Sequence, residues 1–128
     1  AFNRIMDAFG LPKKTAEDKA ARKAAIEEAS KYAIKVPYEV METSLDSMEV
    51  MKAMANTGLE ASVSDAGVGV LCARTAVMGA YLNVKINAAG IDDKKYAEEI
   101  VKKGQELVDK AIEEEEEILK IVNKKIGI

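Results

Sequence analysis

The sequence predicts an all-α protein of long antiparallel helices that run up and down. Three observations carry this expectation. Apolar residues recur three and four positions apart over most of the 128 residues. No segment alternates apolar and polar residues as a half-buried strand would. Strong helix formers dominate, while Gly10, Pro12, Gly58 and Gly90 fall between the periodic stretches. No internal repeat or linker interrupts the chain, so residues 1–128 read as a single helical domain.

The first helix spans Ala1 to Phe9, where Phe2, Ile5, Met6 and Phe9 form one apolar stripe. Gly10 and Pro12 end it. No capping residue precedes Phe2, so the chain is expected to begin inside a helix and to be a truncated part of a longer domain.

Thr15 opens the second helix, with Asp18 placed to reach back in a capping box. Glu17 and Asp18 suit the positive end of the helix dipole. Residues 16–55 form either one long helix kinked near Pro37 or two helices meeting there. Asn56 and Gly58 end this stretch. The methionines at 41, 48, 51 and 54 are expected to fill the core.

Ser62 or Ser64 starts the third helix, which runs to about Asn87 before Ala88, Ala89 and Gly90 break it. Asp92 or Asp93 starts the last helix, which runs to about Lys125. The run Glu113 to Glu117 reads as a solvated face, because Ile112, Leu119 and Val122 keep an apolar register around it.

Composition removes several functions. There is no histidine, which excludes histidine triads and imidazole acid–base chemistry, and with one cysteine leaves no zinc site. Cys72 cannot form a disulfide within the chain and, lying in an apolar helix, is expected to be structural. The net charge of −3 does not suit a nucleic-acid partner. The longest uncharged stretch, Thr75 to Val84, is too short for a membrane span, and no signal peptide is visible. A cytoplasmic location is expected.

The third helix is unusual. At 100° per residue, Asp65, Gly69, Cys72, Ala76, Asn83 and Asn87 share one face of small and polar groups. Val70, Val77, Tyr81 and Val84 mark a second face, and Leu71, Met78, Leu82 and Ile86 a third. A helix apolar on most sides is expected to be buried on most sides, at the centre of the fold and at a subunit interface. The small face fits either close helix packing or the floor of a pocket for a flat ligand, with Asn83 and Asn87 supplying hydrogen bonds. Asp65 lies about 27 Å from Asn83 along the axis, so one helix cannot place both in one site. An antiparallel second copy is expected to bring Asp65 to the partner's Asn83. Gly67 and Gly69 follow no strand and are not a dinucleotide fingerprint.

The segments AFNRIMDAFGLPK, VPYEVMET, SDAGVG and GAYLNVKIN, in this order, resemble the cyclodeaminase domain of formiminotransferase-cyclodeaminase. They also resemble the methenyltetrahydrofolate cyclohydrolases of the same family. The resemblance covers nearly the whole chain. It implies an all-α homodimer acting on a tetrahydrofolate derivative, with no metal and no cofactor beyond that substrate. The cyclodeaminase closes formiminotetrahydrofolate to methenyltetrahydrofolate with release of ammonia, and the cyclohydrolases hydrolyse methenyltetrahydrofolate to formyltetrahydrofolate.

Both reactions need proton transfer at nitrogen and groups that orient the pterin. Carried over by position, the resemblance implies substrate-binding roles for Lys13, Glu42, Asp65, Asn83 and Asn87. Lys13 would hold a carboxylate of the folate, and Glu42 would act as acid or base if buried. Pro37 and Tyr81 are packing residues. The acid credited with catalysis in the family lies ahead of the AFN segment, so residues 1–128 are expected to be the C-terminal two-thirds of such a domain, with no catalytic residue assigned. Two non-catalytic readings stay open: a helical dimerisation module and a folate-binding module.

Overall fold

Helix boundaries follow the local chemistry. In the computed structural model, which describes residues 1–128, α1 spans Phe2–Gly10, α2 Ala16–Thr57, α3 Val63–Ala89 and α4 Lys94–Ile126. A short 3-10 turn, Glu60–Ser62, leads into α3. The expected capping box forms: the Asp18 N–H donates to Thr15 Oγ1 and the Thr15 N–H to Asp18 Oδ2, both at 3.0 Å. Gly58 closes α2, its N–H donating to the Met54 carbonyl. Ser62 stands at the start of α3 without a side-chain capping bond.

The N-terminus of α4 is capped twice. Asp93 accepts from the Tyr96 N–H at 3.1 Å, and the Glu27 carboxylate on α2 accepts from both Asp92 N–H and Asp93 N–H at 2.9 Å. Lys31 and Lys23 on α2 pair with Asp93 and Asp92 at 2.6 and 3.0 Å.

α2 runs unbroken through Pro37, so the one-helix alternative holds. Proline lacks the N–H that would bond the carbonyl four residues back, which frees the Ala33 oxygen. Asn87 on α3 takes that place, its Nδ2 donating to the Ala33 oxygen at 3.0 Å.

The same contact sets topology. Asn87, late in α3, meets the first half of α2, while Gly69, early in α3, meets Met51. α3 therefore runs antiparallel to α2. Lys31 with Asp93, and Lys52 with Glu114 and Glu117, show α4 running alongside α2 in the same direction. α3 packs against both, and α1 lies on α2.

The core is layered down the bundle by Ile34, Met41 and Met48 of α2, Val70, Val77 and Val84 of α3, and Val108 and Ile118 of α4. Spacings of seven residues keep the α2 set and the α3 set each on one face. Tyr81 crosses from α3 to α4. Its hydroxyl donates to the Val101 carbonyl at 3.0 Å, and its ring lies against Gly104, the one residue type that leaves it room.

Several expectations change. Within one chain α3 is buried on the side facing α2 and α4 only, because Val68, Leu71, Met78, Leu82 and Ile86 stay 40–73% exposed. Cys72 is exposed beside them rather than packed. Met54 is half exposed and Met51 only partly buried, so Met41 and Met48 alone fill the core fully. The glutamate run is not simply solvated. Glu114 and Glu117 hold Lys52, and Glu115 faces Arg74 of α3 at 3.1 Å, close in distance but short of hydrogen-bond alignment. The run ties α4 to both neighbours because basic residues on α2 and α3 happen to fall opposite it. By length and composition Glu60–Ala89 is apolar enough to cross a membrane. In the bundle it packs one side against α2 and α4 and leaves the other side uncovered.

Candidate functional site

The polar residues of the α3 small face separate along its length. Towards its start, Gly69 lies in contact range of the Met51 side chain, so here the small face serves close packing. Further along, Ala76, Ala80, Asn83 and Asn87 floor a cleft of about 590 Å³ between α2 and α3. The face thus packs against α2 on one half and lines a cleft on the other.

Val36, Pro37 and Val40 of α2 form one wall of the cleft, and Phe2 and Ile5 of α1 the other. Asn83 and Asn87 are its only polar side chains. The Asn87 amide is anchored on the Ala33 oxygen, and Asn83 Nδ2 donates to the Gly79 carbonyl of its own helix at 3.1 Å. No acidic or basic side chain lines this cleft. It can enclose a flat apolar-faced group and orient its polar edge.

The other candidate residues stand elsewhere. Asp65 lines a separate cavity of about 670 Å³ with Met51, Met54, Thr57 and Leu59 at the α2–α3 connection. Lys13 belongs to a small basic depression of about 220 Å³ shared with Lys19, Arg22, Lys23 and Asp92. Glu42 is exposed on α2. Burial, with the charges of Glu42 and Glu106 adding to it, pushes the Tyr38 hydroxyl above its ordinary pKa. One chain thus gathers Asn83 and Asn87, together with Pro37, and leaves Lys13, Glu42 and Asp65 apart.

The structure also holds a cavity that sequence reasoning missed. About 530 Å³ opens where α1, α2 and the start of α4 meet, with Arg4, Lys31, Lys35, Tyr32 and Tyr96 among its lining. Arg4 stacks on the Tyr32 ring at 3.9 Å and Lys31 lies 5.1 Å from the Tyr96 ring. The hydrogen bond from Lys31 holds the Asp93 carboxyl below its ordinary range, and the Tyr96 N–H adds to that. The recurrence of Glu28, Lys31, Tyr32 and Lys35 was visible as one face of α2, but the arrival of Arg4 and Tyr96 over it depends on tertiary packing.

The family described as formiminotransferase-cyclodeaminase matches residues 1–106. A methenyltetrahydrofolate cyclohydrolase of Methylorubrum extorquens is 40% identical over 127 residues, covering 99% of this chain and 61% of that protein. The formimidoyltransferase-cyclodeaminase of Gallus gallus is 32% identical over 98% of this chain and 23% of its own length. That of Dictyostelium discoideum is 33% identical over 96% of this chain and 22% of its own. The chain therefore spans less than two-thirds of each of these relatives. With the family matched over most of its length, the chain belongs to the formiminotransferase-cyclodeaminase family.

Proposed function

We propose that the chain binds a tetrahydrofolate derivative in the cleft between α2 and α3 and serves a methenyltetrahydrofolate cyclohydrolase or formiminotetrahydrofolate cyclodeaminase reaction. One observation carries this reading. Phe2 and Ile5, Pro37 and Val40, and Asn83 and Asn87 come from three of the four segments that carry the family resemblance, and they line one cleft. The greater identity to the M. extorquens protein favours the cyclohydrolase.

In this reading the apolar walls flank the pterin and the two amides orient it. In the cyclohydrolase reaction water adds to the methenyl carbon that bridges N5 of the pterin and N10, and the tetrahedral adduct collapses by breaking one C–N bond as a proton passes to that nitrogen; in the cyclodeaminase reaction N10 adds to the formimino carbon and the adduct expels ammonia as its nitrogen takes up a proton. No acidic or basic side chain lines the cleft, so this reading takes the acid or base from outside the lining. Lys13 and its basic neighbours suit the carboxylates of the folate tail.

The uncovered stripe of Leu71, Met78, Leu82 and Ile86 supports a homodimer that buries α3 on its remaining side. A cytoplasmic location goes with this reading.

The test is to fill the cleft. Ala76 is exposed on its floor, so Ala76→Phe introduces a ring where the pterin would lie. Calorimetric titration with 5-formyltetrahydrofolate should show binding to the native protein and none to this variant, with the melting temperature little changed. Equal affinity in the two proteins would move the site elsewhere.

A further inference from the structure

We infer that the cleft selects its ligand by two hydrogen-bond acceptors, Asn83 Oδ1 and Asn87 Oδ1, and so takes a ring edge that presents two N–H donors. This rests on the cleft being the substrate site, and adds the polarity of its recognition.

An asparagine amide offers donors at nitrogen and an acceptor at oxygen, and its flip is set by what the nitrogen reaches. A main-chain carbonyl can only accept. Asn87 faces the Ala33 carbonyl at 3.0 Å, so its nitrogen must point there and its oxygen away. Pro37 enforces this choice, because it leaves that carbonyl without its ordinary helical donor. Asn83 is turned likewise, with Nδ2 on the Gly79 carbonyl at 3.1 Å. Neither Oδ1 accepts a hydrogen bond within the chain.

The two residues are four positions apart, so their oxygens lie one turn apart on one face. The rest of the lining is carbon side chains. A ligand that brings acceptors to this edge would leave two desolvated oxygens facing its own. A ligand that brings two donors satisfies both. The 2-amino-4-oxopyrimidine edge of a pterin does this through its adjacent 2-amino group and N3–H, whereas a 2,4-dioxo ring sets an acceptor oxygen where the 2-amino donor stood and carries its other N–H at N1, on the far side of that oxygen.

The experiment uses the ¹⁵N-labelled protein titrated with 6-methylpterin and with 6-methyllumazine, the 2,4-dioxo analogue. Both cross-peaks and affinity are read. 6-Methylpterin should shift the Asn83, Asn87 and Val40 signals and bind about tenfold tighter than 6-methyllumazine. Asn83→Asp keeps an acceptor and should stay within about threefold of native pterin affinity, while Asn83→Leu should lose about tenfold. Asn83 is exposed and bonds its own helix alone, so these variants should fold. Equal affinity for the two ligands with the same shifted residues, or an unaffected Asn83→Leu, would overturn the donor-edge inference and leave the cleft as the site. Shifts confined to residues outside the cleft, or none with either ligand, would overturn the site reading and the inference with it.

Discussion

Asn87 and Pro37, fifty residues apart in sequence, are joined through one carbonyl: proline releases the Ala33 oxygen and the Asn87 amide occupies it. Sequence alone suggests that Asn87→Ala would harm turnover far more than stability. The structure gives Asn87 a structural bond as well, so stability should fall too. Asn87→Ala should cost about 1 kcal/mol, the usual worth of a part-buried hydrogen bond. A double-mutant cycle isolates the cause. Pro37→Ala restores an N–H to the helix and should reduce the added cost of Asn87→Ala to a few tenths of a kcal/mol, roughly the limit of additivity. Denaturant midpoints of the four proteins check this, and strict additivity would break the proposed link.

Gly104 and Gly79 are both helical glycines, yet alanine should act oppositely at the two. A Cβ on Gly104 would sit 2.6 Å from Tyr81 Cε2. The ring cannot swing clear without losing the bond from its hydroxyl to Val101. Gly104→Ala should therefore destabilise by about 1–3 kcal/mol. At Gly79 nothing lies within 4 Å of the new methyl group. Gly79→Ala should stabilise by about 0.5–1 kcal/mol through helix propensity. Thermal unfolding of the two variants beside the native chain tests the pair of signs.

The start of α4 should be acid-sensitive. The hydrogen bond and charge of Lys23 hold Asp92 low, and the hydrogen bonds from Lys31 and the Tyr96 N–H hold Asp93 low. A carboxyl whose folded pKa is depressed contributes stability above its unfolded value, about 3.9, and loses it as pH falls through the lower folded value. Lys31 and Lys23 are raised, chiefly by their hydrogen bonds to Asp93 and Asp92. Their contribution is complete below the unfolded value and fades only as pH climbs through the folded one, in strong alkali. Between pH 5 and 9, about a unit clear of both reference ranges, these pairs should leave stability flat. Below pH 4 the native protein should lose stability more steeply than Lys31→Met, followed by chemical denaturation. Parallel acid limbs would remove the pair from the account.

The architecture was largely legible because its determinants are local. Thr15 and Asp18 announce their own capping box, Gly58 and Gly90 mark their own breaks, and the heptad-like recurrence of Val70, Val77 and Val84 points to one buried face. The site was legible only in part, because angle on a helix says which residues share a face but not what stands opposite. Asn83 and Asn87 were readable as a pair. That the face divides at Gly69, where Met51 plugs it, depends on α2. Glu42 and Lys13 look equally eligible in sequence, and only packing leaves them out of the cleft that holds the amides. The cavity of mixed charge and aromatic rings around Arg4 and Tyr96 joins residues over ninety positions apart, beyond the reach of any local pattern.

The α3 stripe offers the last prediction. Leu82 is 62% and Ile86 73% exposed in one chain, and Leu71 and Met78 extend the same strip towards the start of the helix. Scattered single apolar residues on a surface are ordinary, but a continuous line along one helix face marks a contact. If a second copy covers it, a charge in the middle of the line would be desolvated without a counter-charge on association. Leu82→Glu should therefore convert a dimer into a monomer without unfolding the chain, because Leu82 makes no part of the core. Sedimentation equilibrium of native and variant proteins at micromolar concentration measures the masses, and circular dichroism reports the helix content. A native protein that sediments as a monomer would leave the stripe to a partner other than itself. A native dimer that survives Leu82→Glu would place the contact on another face, such as the exposed Phe2, Met6 and Phe9 of α1.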